Sequence, residues 1–111
     1  MEYKPDDRPE FLPIIENLDR AIHSPGRLMI LTFLYVVEKG DMVYLMNQTG
    51  LTWGNLSANI KKLDEVGYVT VEKKFVARKP QTWVKLTDSG RTAFQTYRRA
   101  MKDVLDDLPE E

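Results

Sequence analysis

The hydrophobic period of the chain changes at Gly67 and changes back at Thr87. Before Gly67, apolar residues recur every three or four positions, as in Phe11, Ile14, Ile15, Leu18 and Ile22, and again in Leu56, Ile60 and Leu63. After it, Tyr68-Val69-Thr70-Val71-Glu72 and Thr82-Trp83-Val84-Lys85-Leu86 concentrate β-branched and aromatic residues at period two. From Thr87 the helical period returns. Side chains repeat their direction every 3.6 residues in a helix and every second residue in a strand, so the two regimes cannot share one element. The implied fold is mainly α with a small β-hairpin, an α+β domain, and 111 residues leave room for a single core.

Punctuation divides the chain further. Residues 1–9, with two prolines and several charges, are expected to form a loosely held arm, followed by a first helix over 10–23. Ser24 and Pro25 make a cap and a first helical position for a central helix over 25–38, apolar nearly all round from Leu28 to Val37 and so expected at the buried centre. Lys39, Gly40 and Asp41 end it. A short helix over 42–50 turns Met42, Leu45 and Met46 inward and stops at Gly50, and Thr52 caps the next helix, 52–67. A hairpin occupies 68–87, with FVARKPQ expected as a loop too long for a tight turn, and a last helix covers 88–108.

Several function classes are excluded early. There is no cysteine, hence no disulfide framework or thiolate metal site, and the single histidine, His23, has no second ligand at a recognisable spacing. One histidine cannot build a Ser-His-acid arrangement, and no glycine-rich phosphate loop is present, so catalysis is not expected and no cofactor or metal is implied. The N-terminus lacks the order of a secretory signal, and the longest apolar run, LMILTFLYVV, is about half of what a bilayer span needs. The expected location is the cytoplasm.

The helix over 52–67 has an unusual outer face. Leu56, Ile60 and Leu63 form a compact inward stripe, while the opposite side carries Gly54, Ala58 and Lys61, flanked by Asn55, Ser57 and Lys62. Its first two outer turns are small or hydrogen-bonding, and lysines begin only in the third. That order suits a helix-turn-helix, whose second helix lays its N-terminal residues on base edges in the major groove while later residues meet phosphates. In the hairpin, Lys73, Lys74, Arg78 and Lys79 cluster, with Gln81 adding an amide. Residues 52–85 hold seven Lys or Arg against three acids, whereas the rest of the chain holds nine against fourteen. The net charge of −1 therefore conceals a dipolar protein with one basic region suited to a polyanion.

IHSPGRLMILTFL, GLTWGNLSANIKKLDEVGYVTVEK and ARKPQTWVKLTDSGRTAF, in that order, resemble the short winged-helix transcriptional regulators of the MarR and ArsR types over about residues 18–97. The resemblance implies a winged helix-turn-helix that binds duplex DNA as a homodimer. It implies that Thr52, Gly54, Asn55, Ser57, Ala58 and Lys61 belong to the recognition helix and Arg78 and Lys79 to the wing. Arg27, in SPGRL, matches the arginine that commonly follows the proline opening the central helix, and by that likeness it is counted among the DNA-binding residues. Asn59 stands where relatives often carry histidine. Trp53, where many have a polar residue, lies either against the wing or against the sugar-phosphate backbone. No small-molecule effector is identified.

Two apolar stripes exceed what a compact core can cover: Phe11, Ile14, Ile15 and Leu18 on the first helix, and Phe94, Tyr97, Met101, Val104, Leu105 and Leu108 on the last. These are the candidate homodimer interface, with the last helix as a long dimerisation helix. The opposing possibility is that the two helices pack on each other within one chain. A competing function, a winged-helix protein–protein interaction module without DNA binding, would need apolar anchors on the presented face, and only Trp53 and Phe75 could serve.

Overall fold

The computed structural model describes residues 11–109. Its helices are α1 (Phe11–Glu16), α2 (Pro25–Val37), α3 (Met42–Thr49), α4 (Trp53–Glu65) and α5 (Asp88–Asp106), and its strands are β1 (Lys39–Asp41), β2 (Val69–Val76) and β3 (Lys79–Leu86). The architecture is a winged helix-turn-helix, mainly helical with one small antiparallel sheet and a long C-terminal helix. The expected arm over 1–9 lies outside the described residues.

The core gathers around α2. Ile30, Leu31 and Leu34 are fully buried there, against Ile22 before it, Leu45 of α3, Leu56 and Leu63 of α4, and Val69 and Val84 of the sheet. Pro25 occupies the first turn of α2, with Ser24 extended at the N-cap but making no side-chain cap bond. The proline's preset φ and absent N–H already favour helix initiation there. The next three helices have side-chain caps: Asp41 Oδ1 accepts from the Tyr44 amide at 2.7 Å, Thr52 Oγ1 from the Asn55 amide at 3.2 Å, and Thr87 Oγ1 from the Gly90 amide at 2.9 Å.

Three expectations are corrected. The first helix ends at Glu16 rather than continuing to 23, because Asp19 organises a competing turn. Its carboxylate accepts from the Ala21 amide at 2.9 Å, and its carbonyl accepts from the amides of Ile22 and His23. Lys39–Asp41 does not merely end α2. Glu38, at φ 69°, turns the chain so that β1 pairs with β3, giving a three-stranded sheet in the order β1-β3-β2. Finally, FVARKPQ is not an open loop. The β2–β3 ladder continues to Val76 opposite Lys79, and the turn is only Ala77 and Arg78, both at positive φ (51° and 65°). Two consecutive left-handed residues make the tight hairpin turn whose twist matches its strands.

Candidate nucleic-acid interface

Burial of Leu56, Ile60 and Leu63 turns the opposite edge of α4 outward, leaving Gly54, Asn55, Ala58, Lys61 and Lys62 exposed and Ser57 half-buried. A Cβ on Gly54 would meet nothing within 4 Å, so packing inside the chain does not require a glycine there. The narrowness of this edge is available to whatever approaches from outside.

Asn59 holds the helix in place. Its amide nitrogen donates to the Asn55 carbonyl at 2.9 Å, and its Oδ1 accepts from Arg27 Nη1 at 3.2 Å. Gly26 makes the space, since a Cβ there would run into the Asn59 side chain at 2.6 Å. Arg27, expected at the nucleic acid, is engaged within the chain. Besides Asn59, its guanidinium donates to the carbonyls of Ala21 at 2.6 Å and Arg20 at 3.2 Å. It acts as a bracket between the turn before α2 and the recognition helix.

The wing's basic residues divide between two faces. Val69, Val71, Lys73 and Phe75 alternate onto one side of β2, opposite Leu86, Val84, Thr82 and Pro80 of β3. Val71, Lys73 and Thr82 line a cleft of about 450 Å³ shared with Trp53, Ser57 and Lys61 of α4. Lys74 is on the reverse side, where its ammonium sits 3.6 Å from Glu72. Gln81 shares that side with Trp83, accepting from the indole nitrogen at 3.1 Å, and Lys39 Nζ stands 5.9 Å from the Trp83 ring. The expected cluster of Lys73, Lys74, Arg78 and Lys79, with Gln81, is thus split, with Lys73 beside α4, Lys74 and Gln81 on the reverse side, and Arg78 and Lys79 at the tip.

Trp53 sits on the side of α4 that faces the wing. It is 55% exposed and lines the cleft described above as well as a smaller one with Pro80, Gln81 and Thr82. It lines the space between α4 and β3, a placement that no local periodicity marks.

On the far side, α1 packs against α5 within the same chain. Leu18, Tyr97 and Val104, expected at a dimer interface, are buried at 7%, 7% and 4% exposure in the single chain. Tyr97 also shares a 2.7 Å hydrogen bond with His23, and burial raises the phenol's pKa above its ordinary value. Ile15, Leu105 and Leu108 are exposed, Phe11, Ile14, Phe94 and Met101 are half-buried, and Leu28, Phe94, Met101 and Leu105 line an open apolar groove of about 450 Å³. No helix among the described residues is long and apolar enough to cross a membrane.

The profile of the winged helix DNA-binding domain family matches residues 27–105. An uncharacterized protein of Methanocaldococcus jannaschii is 37% identical over 78 residues, covering 70% of this chain and 85% of that protein. The structure of a transcriptional regulator homologue from Pyrococcus horikoshii superposes with a TM-score of 0.77 at 31% identity, over 86% of this chain and 95% of that one. Reduced AbfR bound to DNA shares the fold, with a TM-score of 0.66 at 18% identity over 87% of this chain and 65% of that chain. With the family profile spanning the helix-turn-helix, the wing and most of α5, the chain belongs to the winged helix DNA-binding domain family.

Proposed function

We propose that the protein is a sequence-specific duplex DNA-binding transcriptional regulator that acts as a homodimer, with α4 in the major groove and the wing on phosphate or in the minor groove. The carrying observation is the shared cleft that sets Lys61 of α4 and Lys73 of the wing on one side, next to the slim edge of Gly54, Asn55 and Ala58. Small residues let the backbone approach base edges, while the lysines meet phosphates on either flank. The exposed residues of α1 and α5 and the groove beside Leu105 supply the dimer surface, which would set two recognition helices about 34 Å apart for successive major grooves. The regulator homologue from Pyrococcus horikoshii supports the regulatory reading.

The test is fluorescence anisotropy on duplex fragments selected from a random pool, titrated with salt. Binding should weaken steeply as salt rises and discriminate selected from scrambled duplex. Reversing the charge of Lys61 and Lys73 without losing binding at moderate salt would sink the proposal.

A further inference from the structure

We propose that Phe75, backed by Pro80, is an apolar wedge that the wing inserts into the minor groove, unstacking one base step and bending the duplex. This rests on the DNA-binding reading and goes beyond it, because it assigns sequence preference to a residue that forms no hydrogen bond with a base.

Phe75 is 79% exposed, the highest value among the large apolar side chains of the described residues. Nothing in the fold needs it. Every residue of β2 after Val69 is exposed, so a strand-forming polar residue would serve the ladder equally well. Its direct partner across the hairpin is Pro80, so the two share a face and form one apolar tip. Phenylalanine and proline are among the residues that act as wedges between base steps.

The position favours a polyanion over an apolar pocket on another protein. Lys73 is on the same face, Arg78 forms the turn and Lys79 follows it, and no acid occurs between Glu72 and Asp88. The face is also continuous with the cleft beside α4, because Val71 and Lys73 line that cleft and Phe75 is the next residue outward on the same side. Four residues of strand carry the ring about 13 Å beyond Val71. That reach is comparable with the half-turn of about 17 Å separating a major groove from its neighbouring minor groove. The ladder is complete to Val76 opposite Lys79, so the arm is formed before binding and little ordering entropy is lost on insertion. Unstacking is easiest at pyrimidine–purine steps, so the wedge should favour TA or CA/TG there without base contacts.

The experiment uses the full chain and the tightest duplex selected from a random pool, with 2-aminopurine substituted in turn along the flanks and dyes on the duplex ends. Wild type should raise the 2-aminopurine fluorescence at one flanking step several-fold and shorten the end-to-end distance. Phe75→Ala, which removes no core contact, should lose both signals, keep the salt slope and bind about tenfold more weakly. Phe75→Leu should retain most of the unstacking. Wild-type binding without unstacking at any position, or a Phe75→Ala complex with the same bend and fluorescence, overturns the wedge and leaves the DNA-binding reading intact. The second of these results would point to a protein partner for Phe75. Absence of any duplex binding by wild type overturns both.

Discussion

The phenol of Tyr68 donates to Asp19 Oδ2 at 2.5 Å, tying the exit of the recognition helix to the turn that ends α1, 49 positions earlier. Asp19 is therefore engaged twice, since its other oxygen accepts from the Ala21 amide. The bond to the carboxylate, with burial and the carboxylate's charge behind it, pushes the Tyr68 pKa from 10.0 up to about 12. The same tyrosine's carbonyl accepts from the Thr87 amide at 3.1 Å and lies where a Cβ on Gly90 would collide. This small cluster joins the α1–α2 turn, the recognition helix, the sheet and α5.

The folded state holds the Tyr68 proton more tightly than the unfolded chain, so its contribution to stability is fully present below pH 10.0 and lost as the pH rises through about 12. Denaturation midpoints across that window should fall. Tyr68→Phe should start about 1 kcal/mol less stable and fall less steeply. An equally steep fall in the variant would remove Tyr68 from the account.

Arg27→Met should lower stability by roughly 1–3 kcal/mol, because it leaves the carbonyls of Ala21 and Arg20 and the Asn59 amide without their donor. The salt slope of DNA binding should not change. A drop of about one in that slope would mean that Arg27 neutralises a phosphate after all.

Adjacent lysines should behave differently. Lys73→Ala removes a cation from the cleft beside α4 and should weaken binding to all sequences, reducing the salt slope by about one. Lys74→Ala removes a cation on the other face that already neighbours Glu72, and should leave the slope nearly unchanged. Equal effects from the two would contradict the assignment of faces.

Gly54→Ala meets no neighbour and restores helix propensity, so it should be neutral or stabilising by up to about 1 kcal/mol. If α4 enters the groove at this edge, the same methyl should weaken specific binding more than binding to scrambled duplex. Anisotropy titrations on both duplexes decide this, and undiminished specific affinity would place the close approach elsewhere.

Leu105 is 58% exposed and Leu18 is in the core, although both belong to the stripes expected at a dimer interface. Leu105→Glu should shift sedimentation from dimer to monomer while the circular dichroism spectrum stays that of a folded chain. Leu18→Ala should instead cost roughly 2–5 kcal/mol of stability. A dimer unaffected by Leu105→Glu would place the interface elsewhere.

The sequence by itself determined the fold class, the helix-turn-helix, the caps at Thr52 and Thr87 and the inward stripe of Leu56, Ile60 and Leu63, because each depends on residues a few positions apart. Tertiary structure decided what depends on distant partners. β1 is three residues long and exists only because Lys39, Gly40 and Asp41 meet Lys85, Val84 and Trp83. The turn at Ala77 and Arg78 carries no glycine or asparagine to announce its positive φ values, and the ladder on either side holds it. In sequence Arg27 is one more cation near the helix-turn-helix, and only the fold gives it three acceptors from two other segments. In sequence Leu18, Tyr97 and Val104 are surplus to a compact core, and the packing of α1 on α5 accompanies their burial in the single chain. Local periodicity states which face of an element is apolar. What covers that face, and which way a long polar side chain turns, is settled by contacts between parts of the chain whose spacing leaves no pattern in the sequence.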